Sequence, residues 1–258
     1  MTLAVIVATY KRTDGSTPEI LKRAINSLKQ QTYQDYKVFV IGDGYEDQEE
    51  FDSFKEFLPE DKYHLENLPY SVERTKYKVP SKELWAVGGT TPINTGIDRA
   101  LEQGINYICM LDHDCIFYPD HLELISKAIS ITNSPFIITK GSYTNPHNHT
   151  EIIPKISNYP ILSINPNSYY SITPDIKAYP FLPSQCKFMK LAVCMDMSRI
   201  PIRFRDALEE TGTIAAGDAD MWNRVRELMK TSVIPEVGIF VDKETCSNFD
   251  EGYAQTNS

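Results

Sequence analysis

The stretch Tyr107-Ile108-Cys109-Met110-Leu111-Asp112-His113-Asp114-Cys115 decides how the chain is read. Five strand-like, mostly apolar residues run directly into Asp-x-Asp. An apolar run of this length suits a buried strand of a parallel sheet. Carboxylates placed just after it sit at the strand's carboxyl end, where open α/β sheets bind ligands. On an extended backbone, side chains two apart face the same way, so Asp112 and Asp114 are expected to point together. Two such carboxylates repel unless a cation lies nearby or one is protonated. Mg²⁺ and Mn²⁺ take oxygen ligands and often complete their shell with substrate phosphates. An isolated Asp-x-Asp is nevertheless more often a turn than a metal site. The rest of the chain has to decide.

Upstream, Gly88-Gly89-Thr90-Thr91-Pro92 reads as a turn into a helix over 93–102, ended by Gly104. Downstream, Pro119 opens a helix over 120–130 with Leu122, Ile125 and Ile129 facing inward. At the start of the chain, Leu3-Ala4-Val5-Ile6-Val7-Ala8 is a buried first strand. It ends in Thr9-Tyr10-Lys11-Arg12 and the turn formers Asp14 and Gly15. Thr17 and Pro18 read as N-cap and first residue of a helix that repeats Ile20, Leu21, Ala24, Ile25 and Leu28. A second strand over 36–41 ends in Gly42-Asp43-Gly44. Residues 48–58 read as an acidic amphipathic helix, 64–68 as a short strand and 71–80 as a loop. This alternation implies an α/β fold, a mostly parallel sheet covered on both faces.

Beyond Pro135 the character changes. Residues 136–139 and 187–195 read as strands. Residues 141–183, rich in Asn, Ser, Tyr and Pro, read as irregular loop and edge strands, with a short apolar run at 159–164. Gly217-Asp218-Ala219-Asp220 leads into a helix carrying Met221, Trp222, Val225, Leu228 and Met229, and 232–241 reads as a last strand.

The bulk composition removes several classes. A net charge of −9 over 258 residues leaves no basic face for nucleic acid. An anionic nucleotide remains admissible, held by a metal and helix N-termini. Neither a signal peptide nor a membrane-spanning run is evident, so a soluble cytoplasmic protein is expected. The five cysteines (Cys109, Cys115, Cys186, Cys194 and Cys246) are odd in number and lack CxxC spacing, which favours neither a disulfide framework nor a zinc site.

Together, Ala8-Thr9-Tyr10-Lys11-Arg12, Gly42-Asp43-Gly44 and Leu111-Asp112-His113-Asp114 resemble the motifs of the GT-A fold glycosyltransferases, in particular the inverting family 2 type. Ala24-Ile25-Asn26-Ser27-Leu28, Gln30-Gln31-Thr32-Tyr33, Ile93-Asn94-Thr95-Gly96-Ile97 and Tyr118-Pro119-Asp120 are similar to segments flanking those motifs. Gly217-Asp218-Ala219-Asp220 is similar to the family's late acidic motif. The resemblance covers residues 3–130 and, by motif, 210–226. It implies one GT-A domain over 1–258, Rossmann-like, with a nucleotide-sugar half (1–130) and a less regular acceptor half (131–258).

The same resemblance implies the site. Ala8, Thr9, Tyr10, Arg12 and Asn94 would border the nucleotide, with Tyr10 offering a ring face. Asp43 would accept from the base imide, which favours UDP and leaves dTDP open. Asp112 would bind the ribose or the metal shell, and Asp114 would ligate Mn²⁺ or Mg²⁺ on the diphosphate. Asp218 would deprotonate the acceptor hydroxyl, of a carbohydrate or another acceptor. The sequence departs from the family at Ala8, where Pro is usual, at Lys11 for Asn, at Gly42 for an acid, at Cys115 for an acid or Asn, and at Gly217 for Glu. It also has Ile93 where an Arg often precedes the Asn, and Arg74 or Lys76 are candidates to replace that phosphate contact. A non-catalytic nucleotide-sugar-binding domain, a sugar nucleotidyltransferase and a HAD-type phosphatase are the rival readings. The Asp-x-Asp after two strand–helix units, and the lack of a Gly-rich loop in 8–15, where Gly15 is the one glycine, disfavour the last two.

Overall fold

A computed structural model describes residues 1–144, 168–181, 192–214, 217–231 and 238–249. The elements run β1 (Leu3–Thr9), α1 (Thr17–Lys29), β2 (Tyr36–Gly42), α2 (Gln48–Ser53) with a 3₁₀ turn at Phe54–Phe57, β3 (Tyr63–Asn67), α3 (Val72–Lys76), α4 (Lys82–Val87) and α5 (Thr90–Glu102). Then come β4 (Tyr107–Met110), β5 (Cys115–Phe117), α6 (His121–Thr132), β6 (Phe136–Thr144), β7 (Tyr170–Thr173), β8 (Ile176–Phe181), β9 (Val193–Asp196), α7 (Ala207–Thr211), α8 (Gly217–Thr231) and β10 (Gly238–Phe249). The expected strand over 187–195 is described from Val193, and the run at 159–164 lies outside the described residues.

One sheet takes the order β3-β2-β1-β4-β9-β6-β10-β8-β7, with β5 paired to β10. The pairs among β3, β2, β1 and β4 are parallel. Beyond β4 the strand β9 runs antiparallel, and the β7–β8 hairpin forms the far edge. The parallel half follows from the strand–helix alternation. The other half depends on pairings between residues distant in the chain, such as β6 with β10.

Alternation along β1 divides the core. Leu3, Val5 and Val7 pack with Leu21, Ala24, Ile25 and Leu28 of α1 and with α6. Ala4 and Ile6 pack on the other face with Ile93, Ile97 and Ala100 of α5 and with Met221, Trp222 and Val225 of α8. Burying each such Leu or Ile contributes about 1.5–3 kcal/mol. Gly96 lets α5 lie flat on β1, because a Cβ there would come within 2.5 Å of Ile6 Cγ2. Two local readings shift. The N-cap of α1 is Ser16, not Thr17, which instead accepts the Arg12 N–H (2.8 Å) and donates to the Tyr10 carbonyl (3.1 Å). The segment read as loop over 71–80 contains α3, capped by the Ser71 hydroxyl on the Arg74 N–H. No helix among the described residues is long and apolar enough to cross a membrane.

Candidate active site

The strand order reverses direction at β1, which has β2 on one side and β4 on the other. A crevice at such a switch point is where open α/β sheets take ligands. The carboxyl ends are level: Thr9 pairs with Gly42, the Asp43 N–H donates to the Thr9 carbonyl (2.8 Å), and the Leu111 N–H donates to the Ile6 carbonyl (2.9 Å). Tyr10, Asp43 and Asp112 therefore leave the sheet at one edge.

Asp43 is buried, with 6% of its surface exposed. Its Oδ2 accepts from Arg74 Nε at 3.2 Å, while its Oδ1 is buried without a hydrogen-bond partner. A buried carboxylate oxygen left open costs free energy unless a donor arrives. The Arg74 guanidinium also lies 3.8 Å from the centre of the Tyr10 ring, within cation–π range. Arg74 thus covers a ring face that the sequence reading offered to a base. Behind them, the Thr9 hydroxyl bonds the buried Tyr45 hydroxyl (2.9 Å) and His113 Nδ1 (3.2 Å), and burial pushes the Tyr45 phenol well above its ordinary pKa. Gly44 (φ 73°) completes the turn, since a Cβ there would fall 2.3 Å from the Ser71 nitrogen.

The Asp-x-Asp segment differs from the extended backbone expected of it. Strand β4 ends at Met110, and residues 112–115 form a turn closed by the Cys115 N–H on the Asp112 carbonyl (2.9 Å). His113, its middle residue, is 4% exposed and packs on Tyr10 with ring centres 4.9 Å apart. The turn is held from α1. Arg23 Nη2 donates to the Asp114 carbonyl (3.3 Å), and Ser27 Oγ accepts the Phe117 N–H (3.1 Å). Gln31 donates to the Tyr118 carbonyl (2.7 Å) and accepts the Leu122 N–H (3.0 Å). Among the described residues no three His, Cys, Asp or Glu side chains converge as a metal cage. Mg²⁺ and Mn²⁺ bind through one or two carboxylates and substrate phosphates. The donor chemistry of Asp112 and Asp114 fits such an ion.

The remaining expected residues are scattered. Ala8, next to last in β1, is half-buried, and Arg12 is buried beside Asp14 (3.5 Å). Lys11 is exposed and pairs with Glu50, which raises its pKa. Asn94, expected to border the nucleotide, bonds the Phe204 backbone here. Its amide donates to the Phe204 carbonyl (2.8 Å) and accepts the Phe204 N–H (3.0 Å), tying α5 to the segment before α7. Asp218 lies in the first turn of α8, inside the helix rather than at its cap, and its side chain is outside the described residues. The start of α8 abuts α4: a Cβ on Gly217 would lie 3.1 Å from the Ala86 carbonyl. Asp220 is held by Arg205 and Arg224. Trp222 is core, 3% exposed, whereas Trp85 on α4 is 61% exposed.

The site thus joins a buried, half-satisfied carboxylate and an acidic turn at the switch point of an α/β sheet, the layout expected from the sequence. The comparisons with known proteins agree. The chain is 29% identical over 252 residues to an uncharacterised glycosyltransferase of Acanthamoeba polyphaga mimivirus, covering 96% of this chain and 94% of that one. Its fold matches that of the S. aureus TarS 1-349 crystal structure in complex with UDP, with a TM-score of 0.62 and 13% identity over 96% of this chain. The match to the same portion in complex with UDP-GlcNAc has a TM-score of 0.62 at 14% identity. The chain spans about 60% of the length of that TarS portion. No family model matches the chain. The expected α/β fold is borne out by the likeness to TarS, and the mimivirus relative carries the name of a glycosyltransferase.

Proposed function

We propose that this chain transfers a sugar from a nucleotide-sugar donor, a UDP-sugar, to a hydroxyl of a carbohydrate or other acceptor, with inversion at the anomeric carbon. The observation that carries the choice of nucleotide is Asp43 Oδ1, a buried acceptor with no partner, at the crevice edge beside Tyr10. A pyrimidine imide N–H supplies the missing donor, and Arg74 keeps the other oxygen occupied. The UDP complexes of TarS, which shares the fold, support the same choice.

In this reading Asp218 takes the proton of the acceptor hydroxyl. The oxygen attacks the anomeric carbon on the face opposite the nucleotide. The bond from that carbon to the diphosphate oxygen breaks, and its electron pair leaves with UDP. The first turn of a helix, where Asp218 lies, favours an ionised carboxylate. Asp112 and Asp114 would hold Mn²⁺ or Mg²⁺, which neutralises charge on the departing diphosphate. Thr9 and His113 keep the Asp-x-Asp turn against β1, and Ser27 and Gln31 fix the segment behind it. Acceptor selection belongs to the half over 131–258, together with the exposed Trp85 ring, which suits a sugar face.

The test is a thermal-shift screen of nucleotides and nucleotide sugars with Mn²⁺ and with EDTA. A ligand that binds only the folded chain raises the melting temperature by mass action. The expected result is a metal-dependent rise with UDP and with one UDP-sugar. A rise with purine nucleotides alone contradicts the reading.

A further inference from the structure

Helix α3 carries Arg74 and has only five residues. A helix that short has no stability of its own, so its position is set by outside ties. Lys76 pairs with Asp206 and Glu209 at the surface, and exposed pairs contribute little. The buried tie is Glu73. Its Oε1 accepts from the Thr91 N–H (2.9 Å) and from the Thr91 hydroxyl (2.6 Å). Thr91 lies in the first turn of α5, whose N-cap, Gly89, has no side-chain oxygen to offer. Glu73 therefore caps α5 from a neighbouring helix, and in doing so fastens α3.

This cap is an expensive one. Glu73 is 4% exposed, and its Oε2 is buried without a partner. Burial, aided by the nearby Asp43 charge, pushes its carboxyl above the usual range. The left-handed backbone at Gly89 (φ 83°) strains a serine cap there, so the cap comes from Glu73 instead. Buried ionisable groups held at such cost gather at functional sites, and Glu73 is the residue next to Arg74.

We propose that Glu73 is a positioning residue for the nucleotide pocket. By tethering α3 to the start of α5, it holds Arg74 on Asp43 Oδ2 and the Tyr10 ring, which leaves Asp43 Oδ1 directed at the base. The proposal rests on the nucleotide site described above.

The experiment is isothermal titration with UDP and Mn²⁺ of the wild type, E73A, R74A, the double variant, E73Q and T91V, each with a thermal melt. E73A is expected to weaken UDP about tenfold. The double variant should bind no more weakly than R74A alone, because Glu73 acts through Arg74. E73Q should stay within about threefold of wild type, since its amide oxygen still accepts from Thr91. T91V loosens the tether from the other end and should weaken UDP about threefold, again only while Arg74 is present; it carries the test if E73A fails to fold. Additive losses in the double variant, or unchanged affinity in both E73A and T91V, overturn the proposal. A wild type that binds no UDP removes the reading of the site, and the role of Glu73 with it.

Discussion

Asp43 and Asp220 are both carboxylates held by arginine at the edge of the core, one at the end of β2 and one in the first turn of α8. Asp220 receives the Arg205 fork on both oxygens (2.9 Å each) and Arg224 Nε on Oδ2 (2.8 Å). Burial pushes its carboxyl up, but the two guanidiniums outweigh that and hold it below the usual range. Asp43 receives a single arginine bond on Oδ2, and its Oδ1 has no partner. The first arrangement is complete and needs no ligand. The second is one donor short. On the proposed reading, residues of the same type and similar burial divide into a structural tie and a binding group, with the open oxygen marking the difference. His121 adds a further condition. Its Nε2 is also open, but the ring is fully buried against Phe117 (3.8 Å), away from the crevice. Both atoms are closed to solvent, and position separates them: Asp43 follows β2 at the carboxyl edge of the sheet, where α/β folds take ligands, and His121 does not.

Several substitutions sharpen this division. The largest effect is expected at Asp218, the neighbour of Asp220 with the opposite role. D218N should lower transfer by about 10³-fold and leave UDP affinity unchanged, read from initial rates and calorimetry on one preparation. D114A comes next. It should remove the Mn²⁺ dependence of UDP binding, about a hundredfold loss with metal and little without it. D220A should leave UDP affinity intact while lowering stability by about 1–2 kcal/mol, since Arg205 and Arg224 each lose one partner and keep another, Glu210 and the Arg203 carbonyl; denaturant unfolding checks this, and a large loss of affinity would place Asp220 in the site.

The smallest effect concerns His121. Burial pushes its pKa down to about 3, against about 6.5 when unfolded. Between those values the unfolded chain binds a proton that the folded chain does not. Stability should therefore fall as pH drops from 6.5 toward 3, by up to about 1.4 kcal/mol per pH unit. H121Q should flatten that slope by one proton in denaturant midpoints taken between pH 7 and pH 5.

The division also explains how much could be read from sequence. Local signals place β1, α1, β2, α5, β4 and α6, and with them the edge where Tyr10, Asp43 and Asp112 meet. The segment around Ser27 and Gln31 was recognisable by resemblance, and its physical reason lies in the backbone bonds it makes behind the Asp-x-Asp turn. Arg74 was legible only as a candidate phosphate contact. Its pairing with Asp43 brings together positions 31 apart, beyond the reach of local patterning. Glu73 lay hidden because 71–80 reads as polar loop, although Ser71 ahead of Glu73 was an available helix-start signal. His113 is the variable middle position of a short motif, and its partner Thr9 is 104 residues away. Asn94 is expected at the nucleotide because its motif flanks the site, and its amide pairing with the Phe204 backbone joins positions 110 apart, which local patterning does not show.

The central claim is that Asp43 Oδ1 reads the imide N–H of a pyrimidine. The measurement that tests it most directly is calorimetric titration of wild type and D43A with UDP and with N3-methyl-UDP, each with Mn²⁺. The account predicts that wild type prefers UDP by about tenfold or more, and that D43A binds both nucleotides equally weakly. Equal affinity of wild type for the two nucleotides, or a preference for UDP that survives in D43A, would contradict it.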